Sequence, residues 1–368
     1  MFLGLKVRLY PNKMQKEIID NNIKASRYVY NYFLKYANDY EIYDINVWKK
    51  ELFILVKSGN NAILNNACYF SMTKELYILN NAFDMYFKKK TNKPQYKSEF
   101  NRNVAYNVSN KNTEIKIMNN RIEVKDCGLI KCRCKKDLSN KKIFSIAIKK
   151  KMDNYYEASL LYMTTIQFFP KTYRKVGIDL GVRKLITTSN NEKFFNVEEL
   201  DHIEEMIKIN QRKLSNMVKK SSNWYKQKKR IEKIHLYKSN YIKDNINKIT
   251  THLIKKYDVI YMEDLSTNDL FKIQFNKRIR RKILESSFQT IRDTLVYKAK
   301  MYGKKVIFID KFYPSTQICS ECGFKHDPLD KETFICPVCG LEIDRDYNAA
   351  INILNIGEKI NNSGACSD

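Results

Sequence analysis

Cys319 and Cys322, followed by Cys336 and Cys339, form a C-x2-C-x13-C-x2-C pattern, and Gly323 and Gly340 stand directly after the two pairs. Four thiolates at this spacing can close a tetrahedron around Zn²⁺, and a residue without a side chain suits the tight turn after each pair. A redox function would account for one C-x2-C but not for both. His326 lies in the loop and is surplus to a filled tetrahedron. Beyond the second pair, Asp346 opens the segment DYNAAINIL; far upstream, Asp179 lies in VGIDL and Glu263 ends VIYME. Carboxylates converging from rigid elements are the hard ligands that hold Mg²⁺ or Mn²⁺ against a scissile phosphate. Each acid also has a plainer reading alone. Asp179 could be a turn residue, Glu263 or its neighbour Asp264 could cap the next element, and Asp344 competes with Asp346. Their order, with long insertions between, is the informative feature.

For these acids to meet, Asp179 and Glu263 must sit on neighbouring strands of one sheet. KVGIDLGVRKLITTS reads as a hairpin opening a new domain after Pro170, DVIYME as a buried strand and KKVIFID as a further strand preceded by a helix at about 285–300. Ala350 and Ile353, four and seven residues after Asp346, would pack the last helix against the sheet. Between the first strands lies a long helical region in which Ile242, Ile246, Ile249 and Leu253 share a face. Its residues 206–256 carry fifteen Lys or Arg, among them Lys226, Lys228 and Lys229, against only Glu232 and Asp244. Residues 272–282 add six more basic groups, Arg280 and Arg281 included. A solvated charged helix is the plain alternative to a surface that meets a phosphate backbone.

The first 170 residues read differently. LGLKVRL at 3–9 alternates as a strand ending at Pro11, and it needs partners. Helical periodicity runs from Lys13 to about Asp39 and from about Asn46 to Lys90, closing in KKKTNKPQYK. Lys88, Lys89, Lys90, Lys93 and Lys97, with Tyr86 and Tyr96, could clamp a phosphate backbone and stack on bases, or form a solvated loop. Short β-like runs fill 104–169, so a β-module with a helical insertion is the expectation.

The chain has 368 residues, 43% hydrophobic, enough for two or three domains with cores of their own. Its formal net charge of +27 spreads along the whole sequence and points to a polyanionic partner. No apolar stretch reaches the roughly 18 residues a membrane span needs, and MFLGLKVRLYP lacks a secretory apolar region. The expectation is an intracellular, cytoplasmic protein with no membrane partner. Cys68, Cys127, Cys132, Cys134 and Cys366 read as free cysteines.

GIDLG around Asp179, IYMEDLS around Glu263, STQICSECG with CPVCG, and DRDYNAAINI around Asp346 resemble the RuvC-type motifs and zinc finger of the TnpB proteins of bacterial insertion sequences, compact relatives of type V CRISPR effectors. The likeness extends to LKVRLYPNKMQ, RYVYNYFL, KPQYK and FQTIRDTLVYKAKMYG, nearly the whole chain. It implies that Asp179, Glu263 and Asp346 form an acidic triad binding Mg²⁺ or Mn²⁺, with Asp344 supportive, and that the four cysteines bind Zn²⁺. The implied fold is α/β: an RNase H-like (RuvC) nuclease domain over 171–314 and 341–356, with a four-cysteine zinc finger at 315–340. A β-barrel wedge domain over 1–11 and 100–170 would precede it, with a helical recognition lobe at 12–99; 357–368 would be a flexible tail. The implied activity is RNA-guided cleavage of double-stranded DNA, with guide RNA and target DNA as partners, one protein copy per complex, and the bacterial nucleoid as the location when bound. Gln95 departs from the arginine common at that position. A guide-independent, structure-specific RuvC-like nuclease and a catalytically silent guided repressor are the rival functions; the second would be expected to have lost one of the three acids.

Overall fold

The computed structural model describes residues 1–99, 103–110, 115–118, 120–134, 136–138, 140–166, 168–181, 184–195, 199–264, 287–327 and 332–362. The chain divides into two units, Met1–Thr165 and Ile166–Asp368.

In the first unit, β1 (Phe2–Tyr10) leads into α1 (Lys13–Tyr40). Asn12 accepts the Gln15 N–H at 2.9 Å while the Gln15 side chain accepts the Asn12 N–H at 3.0 Å, a capping box that satisfies two helix-end donors. Then come α2 (Ile45–Lys57) and α3 (Tyr69–Phe87). The continuous helix expected over about 46–90 is therefore two helices. Gly59 and Asn66 both adopt φ of 66°, a left-handed backbone that stops an α-helix, and SGNNAILNN supplies residues that tolerate it. The three helices close around Phe33, Leu34, Trp48, Leu52, Leu76 and Phe83.

Strands β2 (Tyr106–Ser109), β3 (Ile117–Met118), β4 (Arg121–Val124), β5 (Gly128–Arg133), β6 (Ile143–Met152) and β7 (Tyr155–Met163) join β1 in a seven-stranded sheet, ordered β2-β6-β7-β1-β5-β4-β3. Every pairing is antiparallel. The strand read at 3–9 finds its partners on both sides, pairing with β7 from Phe2↔Met163 to Leu9↔Tyr156 and with β5 at its far end. Cys127 and Cys132 are buried, Cys68 and Cys134 half-buried, all free thiols; Cys366 lies outside the described residues.

The second unit contains β8 (Lys175–Asp179), β9 (Lys184–Thr188), β10 (Lys193–Phe195), α4 (Glu199–Ser215), α5 (Ser222–Lys256), β11 (Val259–Glu263), α6 (Phe288–Tyr302), β12 (Lys305–Ile309), β13 (Thr333–Ile335), β14 (Glu342–Asp344) and α7 (Arg345–Asn362). Five strands form a sheet ordered β10-β9-β8-β11-β12. The first three run antiparallel to one another, and β11 is parallel to both β8 and β12. β8 and β11 have three consecutive buried residues each, the signature of strands covered on both faces. On one face, Ile246, Ile249 and Leu253 of α5 and Ile291 and Leu295 of α6 pack with Val176, Ile178, Ile260 and Met262.

Helix α7 covers the other face, where Ile353 packs with Tyr261, Ile307 and Ile309. Ala350 and Ile353 are fully buried, as their spacing required. The approach is close because two glycines permit it. A methyl group at Gly177 would overlap the Ala350 carbonyl, and one at Gly357 would overlap the Tyr261 ring. The long helical region is a hairpin of α4 and α5, and Leu200, Ile203 and Ile207 pack against Ile234, Tyr241 and Ile242. No helix among the described residues is long and apolar enough to cross a membrane.

Candidate acidic centre and four-cysteine finger

Because β8 and β11 are parallel and in register from Val259↔Lys175 to Met262↔Ile178, their next residues, Glu263 and Asp179, end the two strands side by side. This is the neighbour relation the sequence required. Burial pushes the Asp179 carboxyl up to about 8, and the negative charges of Glu263 and Asp346 add to the push against Arg345 and the Leu180 N–H. The three acids are therefore electrostatic neighbours, and a carboxyl in that position keeps its proton at neutral pH unless a cation compensates. Burial also raises Glu263, opposed by the Ser315 hydroxyl, which donates to Glu263 Oε1 at 2.6 Å. Asp346 lies 3.2 Å from Lys184 Nζ and 3.6 Å from the Arg345 guanidinium.

The two aspartates of DRDYN are placed differently. Asp344 stands immediately before α7 and caps it, its Oδ1 accepting the N–H groups of Asp346 and Tyr347 at 3.1 Å each. Its Oδ2 meets Lys184 at 2.5 Å and Lys193 at 3.0 Å. Partial burial pushes the Asp344 carboxyl up, but the two ammonium groups and the Tyr347 N–H outweigh it and hold it at about 2. Asp344 is thus occupied by capping and by two lysines, while Asp346, which shares Lys184 with it, is close enough to Asp179 for its charge to raise that carboxyl.

The finger is built from two matching turns. The Gly323 N–H donates to Cys319 O and the Gly340 N–H to Cys336 O, both at 3.0 Å. The glycines have φ of 77° and 71°, with open space where a Cβ would stand, so backbone conformation and not crowding calls for glycine. Cys319 Sγ lies 3.6 Å from Cys339 Sγ and Cys322 Sγ 3.5 Å from Cys336 Sγ. Sulfurs at about 2.3 Å from a tetrahedral zinc would be spaced by about 3.8 Å, close to these distances. Among the described residues this is the only group of three or more His, Cys, Asp or Glu side chains with all ligand atoms within 4.8 Å, so the carboxylates are less tightly gathered than the thiols. His326 instead bonds the Ile335 carbonyl at 2.9 Å, outside the thiol group.

Lys88, Lys89, Lys90 and Lys93 are exposed, together with Tyr86 and Tyr96. Lys97 is not a free cation of that cluster. Its Nζ meets the buried Glu75 at 2.6 Å and lies 3.7 Å from the centre of the Tyr30 ring, and its backbone exchanges two hydrogen bonds with Asn31. A buried carboxylate drew it inward, which spacing in KKKTNKPQYK does not reveal. On α5, Lys226 and Lys229 are exposed and Lys228 lies 5.2 Å from the Trp224 ring centre. Arg280 and Arg281 lie outside the described residues. Sequence reasoning missed Ser315, Lys184, Lys193, Asn348 and Asn352; only the position of Ser315 and Asn348 beside the finger and DRDY motifs hinted at them.

Over 96% of this chain and 99% of the other, the fold matches a Cas12f1 effector solved in complex with guide RNA and target DNA, with TM-score 0.54 at 15% identity. The class is therefore a Cas12f-like α/β fold. Residues 161–274 match the IS605 OrfB family profile described as "Probable transposase", and 288–353 match a profile described as "Cas12f1-like, TNB domain". Residues 1–41 match a related profile described as "Helix-turn-helix domain", although here they form β1 and one unbroken helix. A Streptomyces pristinaespiralis protein named as a candidate RNA-guided DNA endonuclease is 26% identical over 99% of this chain and 91% of its own length. InsQ of Escherichia coli K12, named likewise, is 32% identical over 50% of this chain and 49% of its own. The TnpB-like protein L79 of Acanthamoeba polyphaga mimivirus is 23% identical over 96% and 73%. Profiles and relatives alike make the chain similar to the TnpB-like proteins.

Proposed function

We propose that this chain is an RNA-guided DNA endonuclease that hydrolyses phosphodiester bonds of double-stranded DNA at Asp179, Glu263 and Asp346. The observation that carries the reading is the parallel pairing of β8 with β11, which ends two carboxylates side by side, with Asp346 close enough to help raise Asp179. Antiparallel β10-β9-β8 followed by parallel β11 and β12 supports an RNase H-like core. The seven-stranded sheet and helices α1–α3 support a wedge with a recognition lobe. The names of the relatives support guide dependence.

The donor set fits Mg²⁺ or Mn²⁺, since the acids are hard oxygen ligands whose mutual repulsion a cation relieves. When bound, such an ion supplies Lewis acidity and offsets that repulsion. Asp179, Glu263 and Asp346 would hold that cation, and Lys184 restrains Asp346. The four thiols fit Zn²⁺ as a closed structural site, leaving no position for chemistry. Exposed lysines on α5 and after α3 supply the attraction for guide and target, in a complex with one protein copy in the bacterial cytoplasm.

The test is purification from cells carrying the native locus, sequencing of the RNA that copurifies, and incubation of the complex with duplex matched or unmatched to that RNA. A defined RNA scaffold with variable ends and cleavage confined to matched duplex are expected. Cutting that ignores complementarity would overturn guide dependence in favour of a structure-specific nuclease.

A further inference from the structure

Ser315 sits where the chain leaves the five-stranded sheet for the finger, and it is fixed at both ends. Its side chain donates to Glu263 at 2.6 Å, while its carbonyl accepts from Asn352 Nδ2 at 2.9 Å. Asn352 also donates to the Ile318 carbonyl at 2.6 Å, one residue before Cys319. One turn earlier on α7, Asn348 donates to that same carbonyl at 2.7 Å and accepts the Ser320 N–H at 2.9 Å. Ser315, Asn348 and Asn352 are at most 3% exposed. Buried polar groups so arranged act as a unit, because the loss of one strands the others without water to replace it.

The network joins three things. It begins at the first cysteine knuckle, runs through the helix whose second residue is Asp346, and ends on Glu263. The donor at Glu263 is a neutral hydroxyl, which fixes one carboxylate oxygen without bringing a positive charge that would compete for a cation. Glutamate has one more rotatable bond than aspartate, so Glu263 needs a restraint that Asp179, shorter and at the end of β8, does not.

We infer that Ser315 is a positioning residue for Glu263, and that the four-cysteine finger acts through the Ser315, Asn348 and Asn352 network to set the geometry of the acidic centre. This inference rests on the assignment of Glu263 to a divalent-cation site. The finger thereby has a second use besides any contact with nucleic acid: metal held by the thiols supports the cation affinity of a centre in another part of the unit.

The experiment compares guide-loaded wild type, Ser315→Ala, Ser315→Thr and Asp179→Ala by Mn²⁺ titration followed by electron paramagnetic resonance, with zinc content, matched-duplex binding and cleavage measured on the same samples. Ser315→Ala is expected to weaken Mn²⁺ binding by about tenfold, the scale of a hydrogen bond to a charged group. Cleavage should fall with it and recover at saturating Mn²⁺. Zinc content and duplex binding should stay at wild-type level, and Ser315→Thr, which keeps the hydroxyl, should stay within about threefold of wild type. Wild-type Mn²⁺ affinity in Ser315→Ala, or equal loss in Ser315→Thr, would overturn the positioning role. A wild type whose Mn²⁺ binding ignores Asp179→Ala would instead overturn the acidic centre itself.

Discussion

The backbone N–H of Asp346 donates to the Asp344 carboxylate at 3.1 Å, so the earlier aspartate of DRDYN holds the helix end from which the later one projects. Asp344→Ala should lower stability by about 1–2 kcal/mol through the lost cap. Asp346→Ala should leave the melting temperature near wild type and abolish cleavage. Thermal unfolding and matched-duplex cleavage of the two variants check this; a reversed pattern would exchange their assignments.

Asp179→Ala should separate chemistry from recognition. It removes one of the three carboxylates proposed to hold the cation, so cleavage should fall by several orders of magnitude. Duplex binding should be unchanged or slightly tighter, since one negative charge leaves the phosphate path. The measurement is filter binding beside cleavage at one salt and metal concentration. Undiminished cutting would place the centre elsewhere.

Cys319→Ser and Cys339→Ser should each loosen zinc, because three thiolates leave a coordination vacancy. Native protein should carry one zinc per chain by elemental analysis, with both variants losing it to a chelator sooner. Native protein without zinc would sink this reading.

Binding of guide and target should weaken steeply with salt as phosphates displace counterions. Lys226→Glu, Lys228→Glu and Lys229→Glu combined should reduce affinity for unrelated duplexes to a similar degree and flatten the slope of log affinity against log salt. A slope equal to wild type would make this face of α5 a solvated one.

Asp258, one residue before β11, joins the buried Lys304, while its carboxylate accepts the Thr172 and Tyr173 N–H groups. Burial alone would raise it, but Lys304 and these donors outweigh burial and hold it at about 2. The folded value is depressed, so the stabilisation is present above the unfolded value of about 4 and is lost as pH falls from there through about 2. Asp258→Asn should cost about 3 kcal/mol at pH 7 by leaving the Lys304 charge unpaired. Denaturant unfolding at a series of pH values should show the gap between wild type and variant closing below pH 4. A gap independent of pH would deny the ion pair its part.

The sequence by itself determined the finger, since C-x2-C spacing and the following glycines are local requirements of a four-thiolate site. It also determined the sheet that carries Asp179 and Glu263, because unbroken apolar runs such as VGI and VIYM leave a strand little choice but to be covered on both faces. The end of the helix after Asn46 was less legible, as asparagine-rich turns differ little in hydrophobic period from the helices beside them. Which lysines are free, which aspartate of DRDYN caps a helix and what restrains Glu263 were decided only by tertiary structure. These depend on partners 22 residues away for Lys97 and Glu75, 52 for Ser315 and Glu263, and 160 for Lys184 and Asp344. A hydrogen bond or ion pair forms where the fold brings donor to acceptor, and over such separations residue type records the capacity to pair but not the partner.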